Sequence, residues 1–211
     1  MLPERHAGET LDDRAKGAGA DLLLHLRTRR SVSANALMEP GPSAEDLAQM
    51  LTIAARAPDH KKLAPWRFIV FEGEARARFG ETLAAIVSRR EPEASEVRIE
   101  AERRRFLRAP VVVAVISSPK PHPAAPEWEQ TLSAGAVCLN LLHAAAAFGY
   151  AGNWITEWCA YDAEAGRAIG LADGERVAGF IYLGSARERP PERERPDMNA
   201  IVTRWTPTDL T

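Results

Sequence analysis

The sequence predicts an α+β fold built around one sheet. Three short runs are rich in β-branched and aromatic residues, as strands are: "WRFIVF", "PVVVAVI" and "RVAGFIYLGS". Between them lie segments whose apolar residues recur at the spacing of one helix face. The 211 residues, 45% hydrophobic and 27% charged, suit one ordinary globular domain. We therefore predict a single domain over residues 21–211, preceded by a flexible tail over residues 1–20.

Two helices are expected before the first strand. The run "DLLLHLRTRRS" (Asp21–Ser31) predicts a helix with a cationic end. Ser43 is a candidate N-cap, with Asp46 three residues later. The apolar residues that follow share one helix face: Leu47, Met50, Leu51, Ala54 and Ala55. Pro58 ends this helix, because proline removes a donor and restricts the residue before it.

The remaining elements follow in sequence. Trp66–Phe71 predicts the first strand, and the continuous apolar run Pro110–Ile116 predicts a strand covered on both faces. Four more helices are expected: Glu74–Arg89, Glu93–Arg108, a long Ala-rich one from Glu127, and one capped by Asp162 that ends at Ile169. "NWI" predicts a short extended piece, Arg176–Ser185 another central strand, and the remainder an extended arm broken by prolines.

The composition limits the binding partners and the cellular compartment that can be expected. A formal charge of −2 argues against a general binder of nucleic acid or other polyanions. Cys138 and Cys159 are the only cysteines; they fit a reducing cytoplasm, and a single disulfide stays possible. The polar N-terminus predicts no secretory signal. The run Leu132–Tyr150 is long enough to span a membrane, but its alanines, Asn140 and His143 favour a helix in a core or subunit interface. We expect no membrane contact.

Common catalytic motifs are missing. "GAGADL" (Gly17–Leu22) lacks the third glycine and the preceding strand of a dinucleotide fingerprint. "TLSAG" (Thr131–Gly135) lacks the first glycine of a nucleophile elbow, which disfavours an α/β-hydrolase. No metal-ligand spacing occurs, and we predict no metal site. "ERRRFLR" (Glu102–Arg108) is expected to be a solvated helix face.

Two cationic segments are candidates for ligand contact. "RTRRS" (Arg27–Ser31) either complements a helix C-terminus or binds a phosphate, because arginine forks match phosphate oxygens. "RAPDHKKLAPW" (Arg56–Trp66) concentrates cations on a loop bounded by two prolines. His60 in this loop either bonds to the backbone of a turn or contacts a bound ligand.

Four segments together resemble the nitroreductase family of flavoproteins, in family order and spacing: "RTRRSVS", "LTIAARAPDHKKLAPWRFIVF", "WEQTLSAGAVCLNLLHAAAAFGYAGNWIT" and "RVAGFIYLGS". They span most of residues 21–184. The resemblance implies a three-layer fold, in which helices flank a mainly antiparallel sheet. It also implies FMN as cofactor and a homodimer with flavin sites at the subunit interface. The C-terminal arm "RPDMNAIVTRW" would embrace the partner.

The resemblance also implies roles for particular residues. Arg29, Arg30 and Ser31 would grip the FMN phosphate. Arg56 and His60 would line the flavin, and the segment beside the ring would be Trp154, Ile155 and Thr156. The residues implied near the NADH or NADPH donor are Lys61, Ala144, Ala145, Ala146, Ala147, Phe148 and Gly149.

The implied chemistry needs no catalytic side chain. FMN would accept a hydride from NADH or NADPH and then reduce a nitroaromatic or quinone-like acceptor, in a ping-pong order. The chain departs from the family at two positions. Ala64 stands where the family often has glutamine, so one expected polar contact to the flavin is missing, and "NWIT" lacks an arginine often found after the tryptophan. Because one fold hosts several chemistries, a non-catalytic flavin-binding or sensing protein stays open, as does a flavin-modifying or reductive dehalogenating enzyme.

Overall fold

The computed structural model describes residues 21–188 and 190–206, so the predicted tail over residues 1–20 lies outside the described residues. Contacts divide the chain into two compact units. The larger comprises residues 31–188, and the smaller comprises residues 21–30 and 190–206.

Helices and strands of the larger unit follow the predicted order. The helices are α2 (Ala44–Ala54), α3 (Glu74–Arg90), α4 (Glu96–Arg103), α5 (Glu127–Ala147) and α6 (Ala163–Ala168). The strands are β1 (Trp66–Phe71), β2 (Val111–Ser117), β3 (Ala151–Ile155) and β4 (Arg176–Gly184). Both predicted N-caps are confirmed. The Ser43 side chain accepts a hydrogen bond from the Asp46 amide, and the Asp162 side chain accepts hydrogen bonds from the amides of Glu164 and Ala165.

The four strands form one antiparallel sheet in the order β1-β2-β4-β3. Strand β2 lies in the middle and is buried along its whole length, as its continuous apolar run predicted. In register, Val113 pairs with Val70 of β1 and with Ile181 of β4. The α+β prediction, with helices flanking an antiparallel sheet, is confirmed.

Alternate residues of the central strands pack into two separate cores. Val113, Val115 and Ile181 share one core with α2 and α5. Val112, Ala114 and Phe180 share the other with α3. Phe106 is central there, with ring centroids of four aromatic neighbours 4.6–5.9 Å away: Phe71, Phe79, Phe180 and Tyr182. The sheet is thus the middle of three layers.

Two predicted helices are shorter than expected. Instead of one helix over Glu93–Arg108, α4 ends at Arg103 and a 3-10 turn covers Arg105–Arg108. In the smaller unit, helix α1 covers residues 21–28 rather than continuing to residue 31. The described part of the arm has little regular structure beyond α7 (Met198–Ile201). No helix in the described ranges combines the length and apolar character needed to cross a membrane.

Candidate functional site

The predicted phosphate segment directly follows α1. The Arg29 amide donates to the carbonyl of His25 (2.8 Å), which completes the last helical turn. Nη1 of Arg30 is buried and has no hydrogen-bond partner in the described part of the chain. Oε1 of Glu192 lies 3.7 Å away, beyond hydrogen-bond range. A buried guanidinium nitrogen without an acceptor is costly, so an anion would be stabilised at Arg30. Ser31 follows with an exposed side chain.

The loop between α2 and β1 has a strained backbone that one carboxylate holds in place. Lys61, Lys62 and Ala64 have φ angles of 66°, 55° and 45°, where a non-glycine residue costs about 1–2 kcal/mol. The Asp59 carboxylate accepts hydrogen bonds from the amides of Leu63 (3.0 Å) and Ala64 (2.8 Å). Asp59 therefore stabilises the shape of the cationic loop.

The same loop is attached to the first half of α5. The Ser133 hydroxyl donates to the carbonyl of Pro58. Nδ1 of His60 lies 2.9 Å from Oε2 of Glu129, so this ring nitrogen is bonded to a side chain rather than to backbone. These two contacts fix the middle of the loop against α5.

The cationic side chains of this loop are not neutralised nearby. Arg56, Lys61 and Lys62 are exposed, and their side chains form no hydrogen bond or ion pair with other residues in the described ranges. A bound anion or electron-rich ring would therefore not have to displace an internal partner.

Trp154 is held between the sheet and α5. It pairs with Ile181 of β4, and its indole Nε1 donates to the carbonyl of Ala178 (3.1 Å). The ring covers Gly179, where an added Cβ would lie 2.0 Å from Nε1, so only glycine fits beneath it. At the other edge, an added Cβ at Gly135 of α5 would lie 3.8 Å from Cη2.

Ile155 and Thr156 continue from Trp154. Ile155 pairs with Phe180 and is partly buried against the α3-side core. The Thr156 hydroxyl accepts a hydrogen bond from the Tyr161 hydroxyl (3.0 Å). Ser133, which holds the loop, and Gly135, which faces Trp154, lie two residues apart in one turn of α5. The two predicted flavin-lining segments therefore contact the same turn of α5, on nearly opposite sides of the helix.

The predicted donor-side residues of α5 lie elsewhere. They divide by burial: Ala144 and Ala145 lie in the core, Phe148 is half-buried, and Ala146, Ala147 and Gly149 are exposed. A helix rises 1.5 Å per residue, which places Ala147 about 18 Å from Gly135 along the axis. Within one chain, the end of α5 is therefore not brought together with Trp154.

An unexpected ionic network follows β3. Glu157 has φ 57° and ψ −179°, a region that is almost exclusive to glycine and costs other residues about 1–3 kcal/mol. Its carboxylate accepts two hydrogen bonds from Arg108 (3.1 and 2.5 Å), and Nη1 of Arg105 lies 2.6 Å away. Burial alone would raise the pKa of Glu157, but the bonds from Arg108 and Arg105 hold it below its ordinary value.

Glu102 is the buried centre of the same network. It is 0% exposed and accepts hydrogen bonds from Arg98, from Arg105 (2.6 Å twice) and from the Trp158 indole (3.1 Å). Burial opposes ionisation, yet the bonds from Arg105 and Arg98 lower the pKa of Glu102 below its ordinary 4.5. The prediction that "ERRRFLR" is a solvated face is wrong for Glu102 and Phe106, which are 0% exposed, and for Arg105 and Arg108, whose side chains are 14% and 21% exposed. The physical reason is the 3-10 turn after α4, which packs Phe106 into the core and directs Arg105 and Arg108 towards Glu157.

Comparison with solved structures identifies the fold of the chain. It matches a nitroreductase-like family protein from Bacillus cereus with a TM-score of 0.72, at 22% identity over 87% of this chain and 95% of that one. It also matches a nitroreductase with bound FMN from Bacteroides fragilis with a TM-score of 0.65, at 22% identity over 88% of this chain and 99% of that one. The fold is therefore nitroreductase-like, as the resemblance implied.

The sequence comparisons identify the family. A model of the "Nitroreductase family" matches residues 26–185. The chain is also 36% identical over 167 residues to a protein named "Putative NAD(P)H nitroreductase YdjA" from Escherichia coli strain K12, covering 78% of this chain and 88% of that protein. The chain belongs to the nitroreductase family, and the prediction of a nitroreductase-type oxidoreductase is confirmed.

Two features of this region escaped sequence reasoning. Asp59 could have been suspected, since aspartate commonly bonds to nearby backbone amides in turns. Glu157 carried no local signal: its partners Arg105 and Arg108 lie about fifty residues earlier, and only the fold brings them together.

Proposed function

We propose that this chain is an FMN-dependent NAD(P)H oxidoreductase that reduces nitroaromatic or quinone-like acceptors. The observation that carries the proposal is the buried Nη1 of Arg30, which has no hydrogen-bond partner among the described residues. It lies in the motif that the family resemblance assigned to the FMN phosphate. A phosphate oxygen is the acceptor that such a nitrogen lacks.

The residues of the phosphate motif fit their proposed roles. Arg30 donates to phosphate oxygens from a buried position, where a charge-assisted hydrogen bond is strong. Arg29 and Ser31 add a second guanidinium and a hydroxyl. Their side chains make no hydrogen bond or ion pair within the described ranges, which leaves them available.

Trp154, Ile155 and Thr156 would line the flavin, together with the loop that carries Arg56 and His60. The chemistry that FMN supplies when bound is hydride acceptance from NADH or NADPH, followed by electron transfer to the acceptor. Arg56 and Lys61 are unpaired within the described chain, so a cation from this loop can stabilise negative charge on the ring.

Donor and acceptor use the same place in turn, in a ping-pong order. The side chains bind and orient both molecules and exclude water, and none has to act as a nucleophile. Ala64 and Ile155 replace polar residues common in the family, and Ala64 removes one polar contact to the flavin. Of the α5 end, the exposed Ala146, Ala147 and Gly149 are proposed to approach this site from a second subunit.

A homodimer is part of the proposal. On α5, Trp128, Leu132 and Leu139 share one helix face and are 70%, 54% and 40% exposed. In the smaller unit, the arm exposes further large apolar residues: Met198, Ile201, Val202 and Trp205. A second copy of the chain would remove these surfaces from water. We expect light scattering of the purified protein to give twice the mass of the monomer.

The cysteines favour a reducing, cytoplasmic location. Cys138 and Cys159 are free and buried, and burial raises the pKa of each thiol to about 12. They are thus stable as thiols without a disulfide. Fractionation of the native host cells tests the location.

The decisive experiment is spectroscopic. We expect the purified protein to be yellow, or to turn yellow with FMN, and to bleach anaerobically with NADH or NADPH. Arg30→Ala should weaken FMN binding about 10- to 150-fold, the range for one lost hydrogen bond to a charged group. Arg78→Ala, at an 82% exposed surface arginine, is the matched control.

Each contrary result has a distinct meaning. A folded protein that never takes up FMN refutes the proposal. Full FMN retention by Arg30→Ala refutes the phosphate assignment. Bound FMN that neither nicotinamide reduces would favour the non-catalytic flavin-binding alternative.

A further inference from the structure

Glu157 occupies a conformation that its own side chain disfavours. At φ 57° and ψ −179°, its Cβ clashes with the backbone, and glycine is nearly the only residue found there. Such a residue persists only where its surroundings determine its conformation. Glycine would remove the strain, but it would lack the contacts that the glutamate carboxylate makes with Arg105 and Arg108.

The surroundings that hold Glu157 are two arginines of a single turn. Arg108 binds both carboxylate oxygens as a fork, and Arg105 binds one of them. Each arginine also has a second partner that fixes its position. Arg108 also donates to the Tyr182 hydroxyl (3.0 Å), and Arg105 is bonded to the fully buried Glu102.

The next residue is fixed to the same network. The Trp158 indole donates to Glu102 (3.1 Å), so residues 157 and 158 are both tied to the segment 102–108. On the other side of Glu157, Thr156 and Trp154 are part of the segment proposed to lie beside the flavin. A change in the path of the chain at residue 157 would therefore move that segment directly.

We infer that Glu157 is a positioning residue: its carboxylate, gripped by Arg105 and Arg108, imposes a strained turn that sets the position of Trp154–Thr156 beside the flavin ring. The inference rests on the proposed function, since it concerns how the chain shapes that site. Glu157 itself need not touch FMN. Its effect reaches the site through the backbone of Thr156.

Two substitutions separate the carboxylate from the backbone conformation. In Glu157→Gly, residue 157 can adopt the same φ and ψ without strain, but it lacks the carboxylate that Arg105 and Arg108 bind. Glu157→Gln keeps the length of the side chain and one acceptor oxygen but loses the charge. Glu164→Gln is the matched control, because Glu164 also pairs with two arginines, Arg89 and Arg90, on the surface at α6.

Five readouts apply. The FMN-free protein gives the unfolding temperature and the amide exchange of residues 151–158, and the FMN-bound protein gives the dissociation constant of FMN, its midpoint potential and the turnover rate. We expect Glu157→Gly to fold, to exchange faster at 154–157 and to bind FMN about tenfold more weakly, with a shifted potential. Turnover should fall by up to about 100-fold, the effect of a displacement of about 1 Å in an active site. Glu157→Gln should be intermediate, and Glu164→Gln should match the wild type.

The contrary outcomes can be told apart. If Glu157→Gly and the wild type share the same exchange rates, FMN affinity and potential, Glu157 does not position the segment. Equal losses in Glu157→Gly and Glu164→Gln would also overturn the inference, because the effect would then be general destabilisation. If the wild type binds no FMN, the proposed function itself fails, and this inference with it.

Discussion

Two arginine- and lysine-rich segments of this chain look alike in sequence and behave in opposite ways. The loop over residues 56–62 leaves Arg56, Lys61 and Lys62 exposed and unpaired within the described residues. The segment over residues 98–108 pairs Arg98, Arg105 and Arg108 with buried or half-buried carboxylates. The first segment keeps its cations available for a ligand, and the second uses its cations to hold the fold.

The difference arises from where the carboxylates are. In the segment over residues 98–108, Glu102 lies within one helical turn of both Arg98 and Arg105, and the fold adds Glu157. At the loop, the Asp59 carboxylate is already bonded to the backbone amides of Leu63 and Ala64, and the Glu129 carboxylate contacts His60. A cationic run is thus a candidate ligand site only when its neighbouring carboxylates are otherwise engaged.

Removing the buried carboxylate should have the largest effect on stability. Glu102→Ala leaves Arg105 partly buried without this partner, and breaking a buried pair in this way costs about 3–5 kcal/mol. Urea unfolding of the FMN-free protein measures the loss. The control is Glu96→Ala, which removes the surface pair with Arg103 and should cost at most about 1 kcal/mol. Similar losses in both variants would mean that the buried network is no more important than a surface pair.

Removing the loop carboxylate should have an intermediate effect. Asp59→Ala deletes the hydrogen bonds to the Leu63 and Ala64 amides, and bonds to a charged group contribute about 1.5–3 kcal/mol. We expect a loss of that size in urea unfolding, with faster proteolysis of the loop. The control is Asp173→Ala, at an exposed aspartate with no hydrogen bond to other described residues. An unchanged midpoint for Asp59→Ala would show that the loop keeps its shape without the carboxylate.

Acid should destabilise the paired segment. The pKa of Glu102 is lowered in the folded chain, although burial opposes this, by its bonds from Arg105 and Arg98. The unfolded chain therefore binds more protons, so this stabilisation is complete above the ordinary pKa of 4.5 and is lost as pH falls below it. Glu102→Gln should be less stable near neutral pH and lose less further stability on acidification. The same pH slope below 4.5 in Glu102→Gln and wild type would assign the acid sensitivity to other groups.

Sequence reasoning recovered the layers of this fold and missed the contacts that shape the site. The continuous apolar run at β2 and the helix caps at Ser43 and Asp162 carry local signals, and all three were correct. The strained turn at Glu157 carries no local signal in the sequence, because the ion pairs that stabilise it come from Arg105 and Arg108 on a distant segment. The burial of Arg30 is likewise a property of the folded chain.

Arg56 provides the smallest expected change in stability. Arg56→Ala removes an exposed side chain with no internal partner among the described residues, so the free energy of unfolding should change by less than about 0.5 kcal/mol. If Arg56 lies by the flavin, the same change should weaken FMN binding or lower the midpoint potential of bound FMN, since reduced flavin loses a nearby cation. Arg104→Ala, at another exposed arginine without a described partner, should change neither. Unchanged FMN affinity and potential in Arg56→Ala would remove Arg56 from the site. A large loss of stability would instead show that the loop cations are structural, and the contrast between the two segments would disappear.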